Sequence, residues 1–129
     1  IIVNIPQFRL FAFRTTRDDA KDILQMNVIV GSAFKGRQTP VFAADSGTVI
    51  FAGWSNWGFG YSVVLAHGNF LTLYGHLSSV AVRCGQTAGK GQVIGAVGNT
   101  GNSSGPHLHF EVLRDGKAVN PSSYLQSAS

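Results

Sequence analysis

Short apolar runs separated by glycine-containing turns follow one another along the chain from Thr39 onward. About seven such runs recur at a spacing of roughly 8–12 residues, a pattern typical of all-β sandwiches and barrels. The runs cover residues 41–44, 48–52, 61–66, 70–74, 80–83, 93–97 and 107–113. We therefore predict a mainly β protein, an antiparallel Gly-rich β-sandwich or partly open barrel.

The first part of the chain departs from this pattern. Residues 8–13 are apolar and suit a strand. Thr16 is then a favourable N-cap for a short amphipathic helix over 17–25, where apolar residues recur at helical spacing. We predict an N-terminal strand–helix extension over residues 1–36 and a β core over residues 37–126.

Composition and charge narrow the class of protein. Apolar residues make up 44% of the 129 residues and charged residues 12%, a balance that argues against disorder. No apolar stretch approaches the roughly 20 residues of a transmembrane helix, so we predict no membrane span in this chain. The net charge is +4, but the ten Lys and Arg residues are scattered. Because nucleic-acid interfaces cluster their basic residues, we predict no nucleic-acid partner.

Cys84 is the single cysteine of the chain. One thiol allows neither an internal disulfide nor a zinc site built from several cysteines. Cys84 follows the predicted strand 80–83 and precedes a glycine turn. We interpret it as a small buried apolar residue.

The candidate chemistry is concentrated in the last predicted strand, which follows a loop rich in Gly, Ser and Pro. Successive side chains of a strand point to opposite faces of the sheet. The apolar face consists of Leu108, Phe110 and Val112, and the polar face of His107, His109 and Glu111. Two imidazoles roughly 7 Å apart at the backbone can share one small site, as a metal ligand and a base. The alternative is a pair of polar residues on a solvated strand face.

Two further histidines need separate interpretations. His76 follows Gly75 at the end of a predicted strand over 71–76, where it either joins the site or is simply exposed or hydrogen-bonded. His67 precedes Gly68 in a predicted hairpin, and we interpret it as a structural residue.

Several separate motifs fall along the chain in one order. They are TPVFAA at 39–44, SGTV at 46–49, TLYGHLS at 72–78, GQ at 85–86, GQVIG at 91–95, GNTG at 98–101 and SGPHLHFEV at 104–112. In order and spacing they resemble the LytM-type, or M23, zinc metallopeptidase family, over about residues 37–125. Members of that family cleave peptide bonds in bacterial peptidoglycan.

The resemblance implies roles for the three histidines. His109 is the implied zinc ligand. His76 and His107 are the implied catalytic residues, which orient and deprotonate the attacking water or stabilise the oxyanion. This division suits zinc chemistry, because the metal lowers the pKa of bound water toward about 7 while a nearby imidazole handles the proton.

The same resemblance implies a groove walled by residues 54–61 and 99–106. Its aromatic lining would be Trp54, Trp57, Phe59 and Tyr61, for which a plain packing role is equally open.

The chain departs from the family pattern at the other two zinc ligands, a histidine and an aspartate four residues later. By count back from Thr39, Val28 and Ser32 stand at those positions. Because catalytic zinc needs three protein ligands, we predict weak or absent zinc binding. Two alternatives stay open: a three-histidine site formed by His76, His107 and His109, and a segment missing near residues 30–31.

Three functions follow from these observations. The first is a peptidoglycan-directed domain that does not cleave, and instead binds the cell wall or activates a separate wall hydrolase. The second is an active zinc metalloendopeptidase that cleaves peptidoglycan cross-links. The third is a biotinyl- or lipoyl-type carrier modified on Lys90, which would leave the His-x-His strand unexplained.

We expect the domain to work outside the cytoplasm, in the cell envelope or secreted. Residues 1–4 carry no charged leader. We therefore expect an export signal to have been removed or to lie outside this chain.

Overall fold

The structure, a computed structural model, describes residues 3–4, 12–14, 26–29, 40–101, 108–119 and 125–126. All elements in these ranges are strands. They are β1 (Val3–Asn4), β2 (Ala12–Arg14), β3 (Met26–Ile29), β4 (Pro40–Phe42), β5 (Gly47–Ser55), β6 (Gly60–His67), β7 (Phe70–Val80), β8 (Thr87–Ala88), β9 (Val93–Val97), β10 (Leu108–Arg114), β11 (Lys117–Val119) and β12 (Leu125–Gln126). The predicted helix over 17–25 lies outside the described residues, as does most of the predicted strand over 8–13.

Ten of the strands form one curled sheet in the order β2-β3-β10-β7-β6-β5-β8. In addition, β11 pairs with β10, and β9 pairs with both β4 and β7. All the pairings in this sheet are antiparallel, whereas β1 and β12 form a separate parallel pair. The predicted fold class, a mainly antiparallel β protein with a partly open barrel, is thereby confirmed.

Apolar and polar side chains alternate along the strands, so the apolar ones form the core on one face of the sheet. Leu108, Phe110 and Val112 of β10 are buried there, as the sequence pattern predicts. Tyr74 of β7 lies opposite Phe110 in register, and their ring centroids are 5.4 Å apart. The other members of this core include Val41, Ala43, Val49, Val63, Leu65, Leu77, Ile94 and Val97. The opposite face of β10 is thus left to carry the polar residues.

Two sequence predictions fail around residue 80. Residues 81–83 are not a strand, because β7 continues through His76 as far as Val80 and pairs there with β9. Cys84 is exposed rather than buried. It lies in a turn in which the backbone N–H of Gln86 donates to the carbonyl of Arg83. This turn carries Cys84 to the surface, where its Sγ lies 3.3 Å from the carbonyl oxygen of Ile50.

No segment that the structure describes forms an apolar helix of membrane-spanning length.

Candidate functional site

The polar face of β10 is buried rather than solvated. His109 and Glu111 are 5% and 9% exposed. The Nε2 atom of His109 lies 2.8 Å from Oε2 of Glu111. Since a carboxylate only accepts hydrogen bonds, Nε2–H of His109 is the donor and the ring orientation is fixed by Glu111. Strand alternation predicted that Glu111 shares this face but gave it no role, and its spacing of two residues from His109 was the only sequence signal for one.

His76 reaches the same site through an unusual backbone conformation. It has φ = 60°, which is rare for a residue with a side chain. Ordinary alternation would direct His76 to the core face with Tyr74, two residues earlier. Instead its ring centroid lies 5.5 Å from that of His109, with the ring planes 81° apart. The positive φ therefore brings together two histidines that strand periodicity alone would separate.

Two backbone carbonyls hold His76 in this position. Its backbone N–H donates to the carbonyl of Phe59 at 2.7 Å. Its Nδ1 lies 2.7 Å from the carbonyl oxygen of Thr100, so Nδ1–H is the donor. The Thr100 hydroxyl in turn donates to the carbonyl of Leu77 at 2.5 Å and accepts from the N–H of Tyr61 at 3.1 Å. Thr100 consequently ties the β5–β6 hairpin to β7 beside His76.

Phe59 covers both imidazoles. Its ring centroid is 5.1 Å from that of His109 and 6.3 Å from that of His76. Gly75, which faces His109 in register, allows this approach, because a Cβ there would lie 3.3 Å from the Phe59 ring. Phe59 thus shields the paired histidines, a packing role that the sequence left open beside a role in the groove lining.

The other three aromatic residues of the expected groove wall over 54–61, Trp54, Trp57 and Tyr61, are exposed. Trp54 and Trp57 line a surface pocket of about 500 Å³. Trp57 and Phe59 also line a second pocket of about 230 Å³, which lies over Val64 and Leu73 of the sheet. The expected groove wall over 54–61 therefore lies at the tip of the β5–β6 hairpin, whereas residues 102–106 of the other wall lie outside the described residues.

The remaining two histidines are His107 and His67. His107 lies outside the described residues. His67 has its Nδ1 2.8 Å from the carbonyl oxygen of Ser46 and its Nε2 2.8 Å from Oγ1 of Thr72. These contacts clamp the β6–β7 hairpin to the turn before β5, in agreement with the structural interpretation of His67.

The donor side chains in the described ranges do not fit a three-ligand zinc site. Within those ranges no group of three or more His, Cys, Asp or Glu side chains could hold a metal ion. The assignment of His109 to one ligand of the family pattern, and of Val28 and Ser32 to the positions of the other two, stays a prediction from the sequence. A valine side chain has no donor atom, and a serine hydroxyl is not among the usual zinc ligands of proteins.

Comparison with family models gives a match to peptidase family M23 over residues 30–121. Over 84 residues the chain is 49% identical to a Haemophilus influenzae protein named an uncharacterized metalloprotease, covering 64% of this chain and 18% of that protein. It is 43% identical over 83 residues to the peptidoglycan DD-endopeptidase ShyA of Vibrio cholerae, covering 64% and 19%. The chain spans about a fifth of the length of these relatives.

Solved structures of the same kind share the fold. The catalytic domain of lysostaphin from Staphylococcus simulans superposes with a TM-score of 0.69 at 33% identity, covering 78% of this chain and 77% of that domain. A zinc-containing peptidase from Vibrio cholerae gives a TM-score of 0.71 at 27% identity, covering 92% and 37%.

Proposed function

The chain belongs to peptidase family M23, and we propose that it is a peptidoglycan-directed domain that does not cleave peptides itself. In this proposal it binds the cell wall or activates a separate wall hydrolase. It acts outside the cytoplasm, where relatives such as the peptidoglycan endopeptidase ShyA find their substrate.

One observation carries the non-catalytic part of the proposal. β3 pairs with β10, and in this register Asn27 lies opposite His109 and Val28 opposite Leu108. By the count back from Thr39, the first histidine ligand of the family pattern would fall on this neighbouring strand, at Val28, and a valine side chain has no donor atom for zinc. With Ser32 at the aspartate position as well, His109 lacks two of the partners that tight zinc binding needs.

The described part of the histidine site is held in place by contacts that involve no metal ion. His109 is held by Glu111, and His76 by Thr100. These buried contacts are the argument for a preserved groove. In this proposal the groove binds its ligand but does not activate water. The described geometry thus favours recognition over hydrolysis.

The second candidate function is that of an active zinc endopeptidase, and the retained histidines favour this function. His76 and His109 share one small site, and His107 is retained in the sequence. In this second proposal the missing ligands come from residues that the family pattern does not use.

Binding and cleavage of insoluble peptidoglycan distinguish the two candidate functions. We expect the purified chain to co-sediment with sacculi, to release no soluble muropeptides, and to contain well under one zinc ion per chain by elemental analysis. His107→Ala should leave sacculus binding unchanged. One tightly held zinc together with muropeptide release that His107→Ala abolishes would instead establish the enzyme.

Restoring the two ligands provides a gain-of-function test. The double variant Val28→His/Ser32→Asp should raise zinc content toward one ion per chain, because it supplies the histidine and the aspartate that the count from Thr39 finds missing. The matched control adds His109→Ala to the double variant and should lose the metal again. An unchanged zinc content in the folded double variant would contradict the assignment of these two positions.

A further inference from the structure

The tip of the β5–β6 hairpin presents two tryptophans to solvent. Trp57 is 87% exposed and Trp54 is 53% exposed, although tryptophan is highly buried on average in folded proteins. Neither indole belongs to the buried hydrophobic cluster, so the core of the M23 fold does not depend on these two side chains. The two indoles line one pocket, and contiguous exposed apolar surface of this kind is typical of binding sites.

Contacts within the hairpin hold the tip in one shape. Trp54 and Tyr61 are cross-strand partners, and their rings meet edge to face with centroids 5.2 Å apart. The backbone N–H of Trp57 donates to Oγ of Ser55 at 3.2 Å, which closes the turn. Tyr61 is further tied to Thr100. A ligand would therefore meet a preformed turn and a fixed Trp54 ring, and would lose little binding free energy to ordering them.

The lining of the larger pocket has a specific chemistry. It consists of two indoles, one hydroxyl, one amide and glycine backbone, contributed by Trp54, Ser55, Asn56, Trp57, Gly58 and Gly101. None of these lining side chains is charged. Carboxylates, such as those of peptidoglycan stem peptides, bind most strongly to charged donors, and this lining offers none. A neutral N-acetylated sugar, with apolar C–H faces to stack on indole and with hydroxyl and acetamide groups to hydrogen-bond, matches this lining.

We propose that Trp54 and Trp57 form a platform for the glycan strand of peptidoglycan, a chain of β-1,4-linked N-acetylated amino sugars. This inference rests on the proposed function and names the part of the polymer that the hairpin tip recognises. The indoles stack on pyranose faces, while Asn56 and Ser55 offer polar partners at the same pocket.

The platform adjoins the residue that covers the histidine site. Trp57 lines both pockets, and in the second pocket it meets Phe59, which covers His76 and His109. A glycan strand on the outer pocket would direct its attached peptide along the sheet face toward the histidines. The two halves of the polymer are thus assigned to the two ends of one groove.

Chitotetraose, a peptide-free tetramer of N-acetylglucosamine, is the direct probe. The chain contains two tryptophans, so its indole N–H resonances in a ¹⁵N-labelled sample report the two pocket residues alone. We expect both resonances to shift on titration, and Trp57→Ala to weaken binding about tenfold or more. Trp57→Phe, which retains a stacking ring, should recover most of the affinity.

Ile50→Ala is the matched control. Ile50 is 46% exposed on β5, the strand of Trp54, but lines neither pocket, so its removal should leave chitotetraose binding unchanged. Because Trp57 is almost fully exposed, its loss should not unfold the chain, and circular dichroism of each variant checks this.

The outcomes separate this inference from the proposed function. Sacculus binding that persists while chitotetraose shifts neither indole overturns the platform and leaves the proposed function standing. Indole shifts caused by a free stem pentapeptide but not by chitotetraose also overturn it, in favour of a peptide subsite. Chitotetraose binding without any sacculus binding supports the platform and contradicts the proposed function.

Discussion

At the scale of single residues, His76 combines an unusual backbone conformation with a place in the histidine site. A left-handed conformation costs a residue with a side chain roughly 1 kcal/mol or more relative to glycine. His76 keeps it because its N–H and Nδ1–H both find carbonyl acceptors, on Phe59 and Thr100. These two hydrogen bonds offset the local strain.

Substitution of His76 tests this account. His76→Ala and His76→Gly both lose the imidazole, but only glycine adopts φ = 60° without strain. We expect His76→Gly to be more stable than His76→Ala by roughly 1 kcal/mol in urea unfolding.

Ser78 supplies the matched pair for that experiment. It is exposed on the same strand and does not have a positive φ, so Ser78→Ala should be more stable than Ser78→Gly. The same order of stability at both positions would contradict a strained conformation at His76.

Sequence patterns predicted part of this site and missed part of it for a definite reason. The common face of His109 and Glu111 follows from a period of two, which is a local property of a strand. The approach of His76 to His109 does not, because it depends on a positive φ set by carbonyls of Phe59 and Thr100. Neither contact is encoded in the spacing of His76 along its own strand.

At the scale of elements, the β5–β6 hairpin is joined to the loop after β9 by close backbone packing. Gly60 has φ = 65°, and a Cβ there would lie 2.5 Å from Oγ1 of Thr100 and 2.6 Å from the backbone N of Gly101. Thr100 also holds His76. The hairpin therefore helps to position a site residue on a different strand.

Alanine substitution of two glycines separates strain from packing. Gly68 in the β6–β7 turn has φ = 64°, and a Cβ added there would meet nothing within 4 Å. Gly68→Ala should therefore cost only the conformational term, about 1 kcal/mol. Gly60→Ala has nearly the same φ and adds the clash with Thr100 and Gly101.

We expect Gly60→Ala to lower the free energy of unfolding by a further 1–3 kcal/mol or so. It should also shift the NMR signals of the His76 ring, whereas Gly68→Ala should not. Equal losses of stability in the two variants would show that the packing of the hairpin against this loop is loose.

The sequence predicted strands correctly where the pattern that marks them is local. The runs at 48–52, 61–66 and 93–97 fall within β5, β6 and β9, because apolar patterning and glycine turns mark them. It failed at 80–83, where β7 continues past His76 to pair with β9. The strand–helix extension over 1–36, its helix over 17–25 and the boundary at 36/37 stay predictions.

At the scale of the whole molecule, Tyr74 connects the sheet to the segment before β5. Its ring is fully buried, and its oxygen accepts a hydrogen bond from the backbone N–H of Ala44 at 2.8 Å. Burial disfavours the phenolate and raises the pKa of Tyr74 to about 12. Ionisation of this one group is therefore linked to unfolding of the domain.

The sign of this linkage predicts a loss of stability at high pH. The stabilising contribution is complete below the unfolded pKa of about 10 and is lost as the pH rises from 10 toward 12. A pKa difference of two units corresponds to a loss of roughly 2–3 kcal/mol in the free energy of unfolding. Urea unfolding between pH 8 and pH 12 measures this loss.

Tyr74→Phe and Tyr61→Phe are the paired controls. Tyr74→Phe should be less stable at neutral pH, because the Ala44 N–H loses its acceptor, but its stability should fall less above pH 10. Tyr61→Phe, on the exposed hairpin, should keep the parent's profile. Parallel pH profiles for the parent and Tyr74→Phe would rule out the linkage.

By itself, the sequence determined the family, the antiparallel β class and the face of β10 that carries His109 and Glu111. These features depend on ordered motifs and on periodicity, which neighbouring residues specify. The tertiary structure alone decided the turn of His76 toward His109, the cover provided by Phe59, the burial of Glu111 and the exposure of Trp57. Each of these depends on contacts between segments far apart along the chain, and no local pattern specifies such contacts.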